Sequence, residues 1–150
     1  MLDSYMNLLI QEFTTTIKTA SAQLATITET QSIQFPAPGK WSPKQIIGHL
    51  IDSASNNHQR FVRVQFDSGL QLPEYEQEKW VDSQNYQNES WSDLVALWIS
   101  YNQHLLHVIE NIPEEKLSYT VRVGENEPVT LGFLIEDYFE HLQKHLTQIY

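Results

Sequence analysis

The sequence predicts an all-α protein: a four-helix bundle with long crossover connections and a short hairpin between helices three and four. Four segments repeat apolar residues at intervals of three and four, the spacing that lines one face of a helix. Strand-like alternation is confined to residues 119–123, which a turn containing glycine follows. The chain has 150 residues, of which 41% are hydrophobic. Because that is enough for one core, we expect a single domain over residues 1–150.

Helix one is predicted over residues 2–27, where seven apolar side chains form one stripe. They are Met6, Leu9, Phe13, Ile17, Ala20, Leu24 and Ile27. Residues 34–40 contain two prolines and a glycine, which cannot continue a helix. The stripe therefore predicts one face of a bundle, and the chain turns after it.

Helix two is predicted over residues 43–66. Ser42 is an N-cap residue, Pro43 occupies the first helical position, and Gln45 lies three residues after the cap. This arrangement is a capping box, which begins a helix. The Asp-Ser-Gly sequence at residues 67–69 ends it.

Helix three begins after Ser90, an N-cap residue, and Asp93 complements the helix dipole in the first turn. Pro113 ends this helix. Helix four is predicted over residues 131–149 by the same apolar periodicity. Between helices two and three, residues 71–89 show neither helical nor strand periodicity and predict a long crossover loop.

The charge balance argues against two classes of partner. The chain has 9 Lys and Arg against 19 Asp and Glu, a net charge of −10. Such a surface does not attract phosphates by counterion release, so we expect neither nucleic acid nor an anionic membrane as partner. The first residues carry acids where a signal peptide is basic, and no apolar run reaches about 18 residues. With no cysteine in the chain, these features favour a cytoplasmic protein.

Two histidines of helix four lie toward its apolar face. On a helical wheel of about 100° per residue, His145 falls within the apolar sector and His141 lies at its edge. Side chains four residues apart can bind one metal ion, and Asp137 is one turn away to orient a ring. The alternative is that both are hydrogen-bonded or half-exposed histidines without a ligand role.

Helix two supplies a third candidate ligand, His49. It lies on a polar stripe without Lys or Glu, formed by Gln45, Ser53, Asn56, Arg60 and Arg63. The stripe fits either the wall of a wet cavity or an ordinary exposed face. If helices two and four pack antiparallel, the rings of His49, His141 and His145 lie at the same height along the bundle axis. Three histidine ligands leave a coordination position open, as catalytic sites do. We assign no ligand role to His58, His104 or His107.

Two segments together resemble a known family, the DinB/YfiT-like superfamily of metal-dependent enzymes. They are residues 40–52 with the downstream Arg60, and residues 141–149. The resemblance implies that His49, His141 and His145 bind a divalent metal inside a four-helix bundle. It also implies a homodimer and several activities, among them metal-dependent hydrolysis and S-transfer with a low-molecular-weight thiol. A likeness at this level does not select a substrate.

The first functional hypothesis is a metalloenzyme that acts on a small-molecule substrate. A divalent ion such as Zn²⁺ or Ni²⁺, held by the three histidines, would lower the pKa of a bound water or thiol. This makes the protein a hydrolase or a thiol S-transferase. Asp52, one turn from His49, is the candidate catalytic residue, as an outer partner of the histidine or as a general base. Its alternative is a solvated helix acid.

The second hypothesis is a non-catalytic helical bundle that binds a metal or a small ligand, with a stress-related role. Aromatic side chains near the crossover loop could roof a pocket, form a subunit interface or simply fill the core. Arg60 could hold an anionic substrate group or lie on the surface. An open metal position that faces a cavity would distinguish catalysis from a closed structural site.

Overall fold

The computed structural model describes residues 3–150, and within them four long helices form the bundle. The helices are α1 (Ser4–Leu24), α2 (Glu29–Ser32), α3 (Pro43–Arg63), α4 (Gln77–Gln84), α5 (Trp91–Glu110) and α6 (Leu131–Leu146). The all-α class and the four-helix bundle are thus confirmed, with α1, α3, α5 and α6 as its long members. The predicted start of helix one at Leu2 lies outside the described residues.

The predicted starts of helices two, three and four are correct because local capping determines them. Ser42 Oγ accepts from the backbone N–H of Gln45 at 3.3 Å, and Gln45 Oε1 accepts from the backbone N–H of Ser42 at 3.0 Å. Ser90 likewise accepts from the backbone N–H of Asp93. Each of these bonds satisfies a backbone donor that the first turn leaves free.

Three predicted helix ends lie three residues too far along the chain. Helices α1, α3 and α6 end at Leu24, Arg63 and Leu146 instead of residues 27, 66 and 149. In each case the backbone N–H of the last predicted residue donates to the carbonyl oxygen of the residue three positions earlier, at 3.1–3.2 Å. The chain therefore tightens into a final single turn there, and the apolar spacing does not distinguish that turn from the helix.

The predicted hairpin is present and has a third strand beside it. Strand β2 (Thr120–Val123) pairs antiparallel with β3 (Val129–Thr130), and the turn between them contains Gly124 at φ +60°. Strand β1 (Leu70–Leu72) pairs parallel with β2, with Leu70 opposite Val121. The small sheet thus joins the segment that follows α3 to the segment that precedes α6.

The prediction that residues 71–89 form a loop is wrong in part. This segment completes β1, forms α4, and makes a 3₁₀ turn over Tyr86–Asn88. Helix α4 buries Val81 and has no side-chain hydrogen bond at its N-cap. It packs against α3, so tertiary contact stabilises a helix that periodicity and capping do not signal.

Packing places α3 against the other long helices. Helix α3 contacts both α5 and α6, and α1 contacts the same two. Apolar side chains from these helices form one continuous core, with Leu24, Phe61, Trp98 and Leu142 among its most buried members. Because α3 and α6 are neighbours, His49 faces His141 and His145. Within residues 3–150, no helix is both long and apolar enough to cross a bilayer.

Candidate metal centre

Three histidines from two helices converge at one point in the bundle. His49 comes from α3, and His141 and His145 lie one turn apart on α6. One ring nitrogen from each lies within 4.8 Å of the other two. The Nε2 atoms of His49 and His141 are 3.2 Å apart. The ring centroids of the three pairs are separated by 5.0, 4.6 and 4.4 Å.

Neighbouring side chains hold two of the rings. His49 is 0% exposed, and the ring of Trp41 lies 4.9 Å from it between centroids. His145 Nδ1 lies 3.0 Å from Gln148 Oε1. Because an amide oxygen only accepts, that contact fits a proton on Nδ1 and leaves a lone pair on Nε2 of His145.

Burial keeps His49 and His141 uncharged at neutral pH. Desolvation lowers the pKa of His49 to about 3, and the positive charges of protonated His141 and His145 add to this shift. Desolvation also lowers the pKa of His141 to about 4, and protonated His145 and Lys144 contribute. Neutral imidazole is the form that binds metal ions. Two of the three rings are therefore ready to act as ligands without losing a proton.

The donor set fits a divalent transition metal. Tetrahedral zinc with Zn–N distances of about 2.0–2.1 Å places its ligand nitrogens about 3.3 Å apart, close to the 3.2 Å that separates His49 Nε2 from His141 Nε2. Imidazole ligands suit zinc and nickel. In the part of the chain that the structure describes, no carboxylate or further histidine joins this group of three.

An open cavity of about 600 Å³ reaches the cluster at His141. Its walls carry polar and charged side chains from α3, α6 and the segment before α4, including Ser53, Asn57, Arg60, Glu74, Asp137 and Tyr138. A second cavity, of about 540 Å³, is lined by Trp41 and Gln148, the residues that contact His49 and His145. The first cavity thus opens onto the cluster at His141, whereas no histidine of the cluster belongs to the described lining of the second.

The polar stripe on helix two lines the larger cavity only in part, because Arg63 is exposed and Gln45 does not belong to the described lining. Ser53 and Arg60 line it together with Asn57, whereas the predicted Asn56 is not among the lining residues described. Arg60 is half-buried and not a surface side chain. Its guanidinium lies 3.5 Å from Asn57 Oδ1 and from Pro73 O, and its central carbon is 6.0 Å from the Tyr75 ring centroid.

Asp52 is buried and not a solvated helix acid. It is 2% exposed, and its Oδ1 accepts hydrogen bonds from Tyr86 OH at 2.6 Å and from Gln84 Nε2 at 2.8 Å. Burial raises the pKa of Asp52, and these two hydrogen bonds oppose that shift. The sequence did not point to Tyr86 or Gln84 as partners of Asp52, because both lie in the segment that lacks periodicity.

Fold and site together define a class of protein: a four-helix bundle with a partly buried three-histidine cluster that opens to a cavity large enough for a small molecule. The family model of the DinB superfamily matches residues 12–149. The chain belongs to the DinB superfamily, as the resemblance of its motifs implied.

Two relatives illustrate this membership. A protein named "Putative metal-dependent hydrolase OB0413", from Oceanobacillus iheyensis, is 23% identical over 111 residues, which are 74% of this chain. The match spans 64% of that relative's length. The fold matches YfiT from Bacillus subtilis, described as "a probable metal-dependent hydrolase with an unusual four-helix bundle topology", with a TM-score of 0.86 at 18% identity. That match covers 99% of this chain and 86% of YfiT.

Proposed function

We propose that this protein is a divalent-metal-dependent hydrolase of small polar molecules, with His49, His141 and His145 as the metal ligands. The observation that carries the proposal is the convergence of three histidine nitrogens within 4.8 Å of one another, next to an open cavity. The descriptions of the two relatives both contain the words "metal-dependent hydrolase", which supports the same activity for this chain. The metal ligands and the reaction are proposals for this chain.

The chemistry divides between the ion and the protein. A divalent ion held there would supply a nucleophile at neutral pH, because binding to a metal such as zinc lowers the pKa of water from about 16 to about 7. The three histidines would hold that ion through one ring nitrogen each, and three protein ligands would leave a position for a reactant. Asp52 acts on His49 and not on the substrate in this proposal, because it is 2% exposed and does not belong to the described lining of the larger cavity.

The lining of the larger cavity supports a small polar substrate with an anionic group. Its wall carries both charge signs, with Arg60 and Lys79 against Glu74, Glu76, Glu78 and Asp137. Lys79 pairs with Glu76 at 3.0 Å, whereas Arg60 has no carboxylate within ion-pair distance among the described residues. Arg60 is therefore available to an anionic group of a substrate whose reacting bond lies at the histidines.

A thiol S-transferase is the second candidate, and the second cavity favours it. A transfer reaction needs room for two organic molecules. The cavity of about 600 Å³ reaches the cluster at His141, and the one of about 540 Å³ reaches Trp41 and Gln148, which contact the other two histidines. The chain has no cysteine, so a low-molecular-weight thiol would have to bind from solution. The homodimer and the cytoplasmic location stay predictions.

Elemental analysis after dialysis at neutral pH tests the metal site. We expect about one divalent ion per chain in the wild-type protein and none in His145→Ala, because two ligands do not retain the ion. His107→Ala, a change of an exposed histidine on α5, is the matched control and should retain the ion. Equal metal content in the wild type and His145→Ala would contradict the proposal.

Activity assays then distinguish the two reactions. The metal-loaded protein is given simple esters and amides, with and without a carboxylate, and separately an electrophile with several small thiols. Turnover without thiol that a chelator abolishes identifies a hydrolase, and thiol-dependent consumption of the electrophile identifies a transferase. If neither occurs although the ion is retained, the non-catalytic alternative is favoured.

A further inference from the structure

Asp52 is held by two side chains from outside the four long helices. Tyr86 OH donates to Asp52 Oδ1 at 2.6 Å, and Gln84 Nε2 donates to the same oxygen at 2.8 Å. The second hydrogen of the Gln84 amide goes to Trp80 O at 2.9 Å, and Gln84 Oε1 lies 2.9 Å from Tyr86 OH. Each of the three groups therefore fixes the other two.

The left-handed conformation of Asn85 and the missing side chain of Gly48 make this arrangement possible. Asn85 lies between Gln84 and Tyr86 in the left-handed conformation, at φ 52° and ψ 49°, where it ends α4 and begins the 3₁₀ turn. On α3, a Cβ added at Gly48 would lie 2.1 Å from Tyr86 Cδ2. Only glycine at this position lets the tyrosine ring lie on the helix and reach Asp52.

Two buried polar atoms on α3 lack partners in the described part of the chain. They are Asp52 Oδ2 and His49 Nδ1, and their residues are one helical turn apart. A carboxylate oxygen is an acceptor, and Nδ1 of a histidine whose Nε2 carries the lone pair is a donor. The two atoms are chemically complementary, and buried polar groups are seldom left without partners.

We propose that Tyr86 and Gln84 are positioning residues for the metal centre. They hold Asp52 by Oδ1 so that Oδ2 is available to His49 Nδ1–H, which keeps His49 in the tautomer that presents the Nε2 lone pair to the ion. A carboxylate behind a metal-binding histidine orients the ring and raises its basicity. This inference rests on the proposed function, since it concerns the same three histidines.

Zinc affinity, measured by competition with a chelator, tests the inference. We expect Asp52→Asn to raise the dissociation constant by about 10–100-fold, the usual effect of losing such a partner. Tyr86→Phe should raise it by a smaller factor, because Gln84 still holds Asp52. Tyr101→Phe is the matched control. It removes a tyrosine hydroxyl that lies 2.9 Å from Nδ1 of His58, a histidine on α3 that is not a proposed ligand. This variant should bind zinc as the wild type does.

The tautomer of His49 in the metal-free chain is a readout that a purely structural role would not change. Imidazole ¹⁵N shifts at pH 7 should report a proton on Nδ1 in the wild type and a mixture of both tautomers in Asp52→Asn. Thermal unfolding shows whether each variant folds. If Tyr86→Phe does not fold, Gln84→Ala, a change of an exposed side chain, replaces it with the same expected direction.

The outcomes separate this inference from the proposed function. If the wild type does not bind zinc, the proposed function itself is wrong. If the wild type binds zinc, and Asp52→Asn and Tyr86→Phe bind it equally well with an unchanged His49 tautomer, only the positioning role is wrong. Weaker binding in Asp52→Asn and Tyr86→Phe, with a normal Tyr101→Phe, supports it.

Discussion

The six histidines form two groups of three, and only one group is arranged to hold an ion. His49, His141 and His145 lie between α3 and α6, with ligand nitrogens within 4.8 Å of one another. His58, His104 and His107 lie on α3 and α5, where the ring centroids of neighbouring pairs are 5.3 and 6.4 Å apart. No such convergence of nitrogens is found for the second group within the described chain.

Burial and hydrogen bonding explain the difference. His104 and His107 are exposed, and Nδ1 of His58 already lies 2.9 Å from Tyr101 OH. In the first group His49 is 0% exposed and its Nδ1 has no partner among the described residues. Desolvation and neighbouring histidines keep its ring uncharged. The number of histidines on the helices therefore indicates less about metal binding than the burial of each ring and the direction in which its free nitrogen points.

The largest expected difference between the groups is metal retention. Replacing His49 or His141 by alanine should reduce the bound ion from about one per chain to nearly none, since each removes one of three ligands. His58→Ala and His104→Ala should leave the metal content unchanged. Inductively coupled plasma analysis of the dialysed proteins measures this. Loss of the ion from the His58 or His104 variants would show that the second group of histidines also takes part in metal binding.

Acid should destabilise the metal-free protein through the first group. The folded pKa values of His49 and His141, about 3 and about 4, lie below the unfolded value of about 6.5. The unfolded chain therefore binds protons first, and the free energy of unfolding should fall as pH drops from about 6.5 toward 4 and below. Melting temperatures between pH 7 and pH 4 measure this decline.

Histidine variants identify the source of that decline. His49→Gln removes one titrating group of depressed pKa, so its melting temperature should fall less steeply with acid than that of the wild type. His107→Gln, at an exposed position, should follow the wild-type slope. An identical slope in His49→Gln and the wild type would mean that the buried cluster does not control the acid response.

The smallest expected effect concerns the packing of Tyr86 on α3, which holds Asp52 beside the first group of histidines. Gly48→Ala places a methyl group 2.1 Å from the Tyr86 ring, so the ring must move and its bond to Asp52 should be lost. We expect a cost of about 1–3 kcal/mol, typical of overpacking. Gly132→Ala in α6 meets its nearest atom at 3.5 Å and should be neutral or stabilising by up to about 1 kcal/mol. Urea unfolding of both variants measures the difference.

Much of the fold could be predicted from the sequence because the signals are local. The capping box at Ser42 and the N-cap at Ser90 depend on residues three positions apart, and α1, α5 and α6 each bury one continuous stripe. The helical wheel placed His145 and His141 toward the interior, and the structure leaves both half-buried. That they bind a metal stays a prediction, although the three rings do come together.

The rest depended on contacts between distant segments. Strand β1 forms by pairing with β2 about fifty residues later, and α4 is a helix because it packs on α3. The partners of Asp52 come from α4 and the turn after it, a segment without periodicity. Local sequence determined which residues are helical and which faces are apolar, because capping and 3.6-residue repeats act within a few turns. Only tertiary packing decided which polar atoms meet, since the free energy of those contacts depends on how α3, α4 and α6 lie together.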